Sequence, residues 1–109
     1  MQQLKFKGAI GRWTAEADGQ TLPVLQDTWW DGSTGYHDPM KDNVKGHWKK
    51  YRDYVSLLSS TSQAILQRDE KPGLRRKSYI GVFEICEVRI EPDLQVTLRV
   101  GRQIAAPLS

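Results

Sequence analysis

The longest regular pattern in the chain runs from Tyr79 to Val100, where two apolar runs meet at Pro92-Asp93. Cys86, Val88 and Ile90 alternate with Glu87, Arg89 and Glu91; beyond the turn, Leu94, Val96, Leu98 and Val100 alternate with Gln95, Thr97 and Arg99. A period of two with one apolar face marks a half-buried strand. Two such strands around Pro-Asp predict a hairpin over about residues 78–102, with Cys86, Val88 and Ile90 on its buried face. Tyr79, Phe83 and Ile85 are apolar on the other register, so a change of parity near Glu84 predicts a β-bulge or a bend.

The rest of the chain is less regular. Leu4, Phe6, Gly8 and Ile10 alternate with lysines and predict a first strand; Ala17-Asp18-Gly19-Gln20 predicts a tight turn, and Thr21 to Gln26 a second strand that Pro23 confines to an edge or a bulge. Residues 27–43 are rich in Gly, Pro, Asp and Asn and read as a long loop. Val44, Trp48, Tyr51, Val55 and Leu58 recur at the helical period, predicting a helix over about 44–59 whose stripe, Trp48 included, packs on the sheet. Asp42 or Asn43 is placed to cap it. Ala64 to Arg68 predicts a third strand, followed by a Glu70-Lys71-Pro72-Gly73 turn. Residues 1–109 are therefore expected to form one domain of α+β class. Its core is a small curved antiparallel sheet or partly open β-barrel of about five strands, with one amphipathic helix.

Composition narrows the class without naming a chemistry. Hydrophobic residues are 39% and charged residues 27% of 109, which suits a globular chain, and no apolar run is long enough to span a membrane. A cytoplasmic location is the expectation. The single cysteine, Cys86, excludes an internal disulfide and a thiolate-rich zinc site. A net charge of +3 permits a nucleic-acid or acidic partner without requiring one.

Two binding surfaces are candidates. The loop carries Trp29, Trp30, Tyr36 and His37, and Trp and Tyr anchor protein partners because they bury large areas at small entropic cost. The main expectation is a non-catalytic binding or accessory domain that uses these residues to engage a protein, which includes a second copy of itself. Adjacent tryptophans in extended chain point to opposite sides, so one ring is expected inside and the other, Trp30, outside. The alternative is a nucleic-acid-binding barrel that uses Arg75, Arg76 and Lys77 at the entrance of the hairpin and Arg89 and Arg99 on its polar face. Glu84, Glu87, Glu91 and Asp93 interleave with these cations and dilute their field. A metal-dependent enzyme is the third reading, resting on Asp27, Asp31, His37, Asp38 and His47, whose spacing matches no helical metal or protease motif. No cofactor signature is present, and no catalytic residue or metal ligand is assigned.

Overall fold

The computed structural model describes residues 1–7, 13–40, 44–68 and 78–108. Its strands are β1 (Gln2–Leu4), β2 (Phe6–Lys7), β3 (Thr14–Ala17), β4 (Gln20–Gln26), β5 (Gly35–Asp38), β6 (Gln63–Arg68), β7 (Ser78–Ile90) and β8 (Val96–Pro107). A 3-10 turn spans Asp27–Trp29, and the helix α1 spans Trp48–Ser60. Hydrogen bonding orders the strands β1-β8-β7-β6-β4-β3-β2, with β5 added to β8. Because β1 and β2 are consecutive in the chain, one N-terminal segment joins both ends of this order and the sheet curls into a nearly closed barrel.

The fold is small and α+β, but the eight strands among the described residues exceed the expected count of about five. The N-terminal strand breaks at Lys5 into β1 and β2, β3 precedes the Asp18-Gly19 turn, and β5 lies inside the segment read as loop. Each of these has four residues or fewer, too short for alternation to show. Nor is the sheet wholly antiparallel, since β1 on β8 and β4 on β6 are parallel. Two antiparallel meanders, one from the N-terminal segment through β4 and one of β6, β7 and β8, thus meet at two parallel seams. Parallel neighbours need a long crossover. The connection from β4 to β6 supplies it and carries both β5 and α1.

That topology buries the central strands on both faces. Leu25, Ala64, Leu66, Phe83 and Ile85 face a core closed by α1 and β5. Leu22, Val24, Ile65, Val82 and Ala105 face the barrel interior, where Leu4 and Phe6 of the N-terminal segment cover them. Strands buried on both sides read as continuous apolar runs, which is why Leu22–Leu25 and Ala64–Leu66 show no alternation.

The hairpin corrects one expectation. Val96, Leu98 and Val100 are buried as their parity predicts, but Cys86 is exposed. The pairing runs Ile85 with Val100 and Cys86 with Arg99, then resumes at Arg89 with Thr97, so β7 carries one extra residue. Glu87 takes φ 53° there. The parity therefore flips at Glu87 rather than near Glu84, so Val88 and Ile90 turn inward while Cys86 stays on the outer register of Glu84.

The helix corrects another. Gly46 has φ 81°, His47 occupies the cap position, and α1 starts at Trp48. The caps Asp42 and Asn43 lie outside the described residues, as do Gly8, Ile10 and the Glu70–Gly73 turn. The buried stripe is Tyr51, Tyr54 and Leu58, fixed by the Tyr54 hydroxyl donating to the Val24 carbonyl at 2.7 Å. Trp48 is 52% exposed instead of packed on the sheet. The Tyr51 hydroxyl is buried with no hydrogen-bond partner among the described residues, and burial raises its pKa above the usual 10.0. Tyr51→Phe is accordingly expected to leave stability unchanged or raise it by about 1 kcal/mol, since an unpaired buried hydroxyl costs rather than contributes. The native state holds this proton more tightly than the unfolded chain, so the wild type loses stability as pH rises above the ordinary tyrosine value. Denaturant melts at neutral and alkaline pH check both points, and the alkaline loss should shrink in Tyr51→Phe.

Candidate functional site

The aromatic residues of the loop are held by short-range geometry. Asp31 Oδ1 accepts the Ser33 amide at 2.7 Å, the Asp31 amide donates to the Gly35 carbonyl at 2.9 Å, and the Trp30 indole donates to the Ser33 carbonyl at 3.1 Å. These bonds fold residues 30–36 back on themselves, with Trp30 bridged to Tyr36. Both Trp29 and Trp30 are half-buried against the main core, and Trp30 meets Phe83 edge-on at 5.8 Å. The pair does not divide into one inner and one outer ring. The 3-10 turn places Trp29 at its end, so the two residues are not successive positions of one extended strand.

Tyr36 and His37 do divide, because they are successive residues of β5. Tyr36 is buried, and its hydroxyl accepts the Gln26 amide at 3.2 Å and donates to Asp38 Oδ2 at 3.3 Å. Asp38 is buried as well and accepts the Met40 amide at 2.9 Å. This set ties the end of β4 to β5. His37 is exposed and its Nε2 bonds to Gln95 Oε1 in the hairpin turn.

The hairpin cations are matched by carboxylates on the same surface. Arg89 lies 3.7 Å from Glu91, Arg99 lies 3.6 Å from Glu87, and Arg102 lies 3.0 Å from Glu84. Such exposed pairs add little stability, but each cancels the charge that a phosphate backbone would use. Arg75, Arg76 and Lys77 lie outside the described residues. Among the described residues no three His, Cys, Asp or Glu side chains come together as a metal site. No described helix is long and apolar enough to cross a membrane.

The basic segment from His47 to Tyr54 reads in sequence either as a helix for a membrane or nucleic-acid surface or, by its apolar stripe, as a face packed on the sheet. The structure departs from the packed reading at the turn that enters α1. Lys45, His47, Trp48, Lys49, Lys50 and Arg52 are all exposed. Trp48 touches Tyr51 edge-on at 6.4 Å and leaves the rest of its ring to solvent. The first turn of α1 holds no acidic residue, although carboxylates are the favourable choice there and lysines the unfavourable one. The signal was present in His47-Trp48-Lys49-Lys50-Tyr51-Arg52, but helical periodicity assigned Trp48 to the core. A second feature, a hollow of about 290 Å³ at the Asp18-Gly19 end of the barrel, is open and floored by Leu22, Val82 and Ala105, which are already buried by their neighbours. No protein-family model, no curated protein and no solved structure matches this chain.

Proposed function

We propose that this chain is a small non-catalytic binding domain that engages a protein partner through the connection between β4 and β6. The observation that carries the reading is Trp48, a large apolar ring held half in solvent on a rigid helix. Exposed tryptophan is rare on surfaces without a partner and frequent at interface centres, where it fills a pocket with little loss of side-chain entropy. Trp48 is the anchor. The part-exposed rings of Trp29 and Trp30 and the exposed His37, all on the same connection, are secondary contacts.

The alternative of a nucleic-acid-binding face is disfavoured by the ion pairs of Arg89 and Arg99. Trp48→Ala is expected to cost about 1–2 kcal/mol, short of the roughly 3–5 kcal/mol of a fully buried tryptophan, because about half of the residue is in solvent. The same change should remove partner binding. The test is affinity capture from extract of the source cells, with and without nuclease treatment and with wild type and Trp48→Ala side by side, followed by purification and titration of whatever wild type alone retains. A purified protein that binds wild type and not the variant supports the reading. Equal retention by both proteins, or loss of all retained material on nuclease treatment, overturns it.

A further inference from the structure

The chain's formal charge is distributed unevenly. Between Lys45 and Asp53 lie four cations, Lys45, Lys49, Lys50 and Arg52, and one carboxylate, Asp53. The local excess is +3, equal to the net charge of the whole chain; the other twelve Lys and Arg and twelve Asp and Glu cancel. All five of these local side chains are exposed, as is Trp48, and Arg52, four residues on, shares the Trp48 face of α1. Lys49 and Arg52 stand three residues apart on α1, a spacing at which like charges repel. Asp53 lies at attracting spacing from both Lys49 and Lys50, but the first turn holds two lysines and no carboxylate, the reverse of what the helix dipole favours, and the excess positive charge is exposed.

From this we infer that the partner surface is acidic: a protein segment whose Asp and Glu side chains meet Lys45, Lys49, Lys50 and Arg52 around one apolar residue that packs on Trp48. The inference rests on the binding function proposed above and adds the partner's chemistry to it. A phosphate backbone is the competing anion, and the geometry disfavours it. Strands of nucleic acid are bound by cations strung along a groove with several stacking rings. Here the cations lie within eight residues of sequence with one exposed tryptophan among them, and Arg89, Arg99 and Arg102 of the hairpin are each paired with glutamate. A compact knob of this kind suits a short acidic peptide with a single hydrophobic side chain. Complementary charge then sets the encounter rate and the register, while the ring sets the lifetime. A second copy of the chain related by a two-fold axis does not fit as partner, because this surface would meet its own like charge.

The test uses the full chain and two fluorescent probes: a synthetic twelve-residue peptide of Glu and Asp with one central Phe, and a twelve-residue oligothymidylate. Anisotropy titrations at low and at physiological salt are expected to show saturable peptide binding that weakens about tenfold with salt and exceeds oligothymidylate binding at both. Lys49→Glu with Lys50→Glu should abolish it while circular dichroism shows α1 intact. Trp48→Ala should weaken it about tenfold, and a peptide with Gly in place of Phe should bind wild type and Trp48→Ala alike. Tighter binding of oligothymidylate, or no saturable peptide binding by folded wild type, overturns the inference. A partner found by capture that binds through Trp48 with no salt dependence and no response to the charge reversals would overturn it too, while leaving the proposed function standing.

Discussion

The Val96→Asp protein is expected to be largely unfolded at room temperature, while Thr97→Asp, one residue along, melts within a few degrees of wild type. Val96 is fully buried at the start of β8, paired with Ile90 on one side and with Asp38 of β5 on the other. Paired residues share a face of the sheet, so a carboxylate at position 96 enters the core directly opposite the buried Asp38. It meets both the desolvation cost of an unpaired charge and repulsion from its neighbour. The loss is expected to reach at least about 4 kcal/mol, against the roughly 5–15 kcal/mol that a domain possesses. Thr97 faces the other way, between the exposed Arg89 and His37, where a carboxylate is hydrated and meets a cation. Val96→Asn separates the two contributions, because it keeps the buried polar group and removes the charge. It should fall between wild type and Val96→Asp. Equal melting of Val96→Asp and Thr97→Asp would show the inward assignment of β8 to be wrong.

The parity of β8 was legible because one face is wet and the strand is long enough for alternation to repeat. The Asp18-Gly19 turn was legible for a local reason, as both residues take positive φ, 53° and 84°, in a two-residue hairpin. The strand β5 was not. Gly35-Tyr36-His37-Asp38 has the composition of a turn, and it becomes a strand because β8 offers it a hydrogen-bonding edge and Tyr36 a place in the core. The parallel seams could not be read locally either, since nothing in β4 or β6 states which strand will lie beside it. The pairing does shift register across Glu84, between Phe83 and Ile85, where a bulge is expected; the parity of β7 changes only at Glu87, and the two were conflated because Cys86 is apolar enough to sit on either face.

The candidate surface was hidden by a degeneracy of the helical pattern. Val44, Trp48, Tyr51, Val55 and Leu58 fit the helical period as well as the true stripe of Tyr51, Tyr54 and Leu58 does. Tyr54 decides between them by bonding to Val24 and stacking edge-on against Trp13 at 5.4 Å. Both contacts depend on the crossover that the parallel seam requires. With that phase set and Gly46 delaying the helix, Trp48 becomes its first residue and is left in solvent among the lysines. The composition of this connection points to its aromatic rings, and which ring stands outermost depends on tertiary packing.

The second large effect is expected at Gly81, in the first third of β7. Here β8 holds an extra residue: Val82 pairs with Ala105 and Phe83 with Gln103, so Ile104 is left without a counterpart. The ladder opens at this point and the Gln103 side chain crosses it, its Nε2 donating to the carbonyls of Ile80 at 3.0 Å and Ala105 at 3.1 Å. A side-chain amide thus satisfies carbonyls that the interrupted ladder leaves. This crossing requires a residue without a side chain below it. Gly81 has φ 154°, and a Cβ there would lie 2.3 Å from the Ala105 carbonyl oxygen and 2.3 Å from Gln103 Nε2. Gly81→Ala is therefore expected to cost about 3 kcal/mol, from the backbone shift that overpacking forces plus the strain of its φ. The two contacts differ in how readily they yield, since the amide can swing away and the carbonyl belongs to the backbone of β8. Gln103→Ala alone should cost about 1 kcal/mol through its lost hydrogen bonds. In the double variant the amide no longer obstructs the methyl group, but the Ala105 carbonyl still does. The double variant should then be less destabilised than the sum of the two single changes, yet remain well below wild type. Denaturant melts of the four proteins measure this coupling. A Gly81→Ala protein as stable as wild type would mean that β7 and β8 do not approach at this bulge as described.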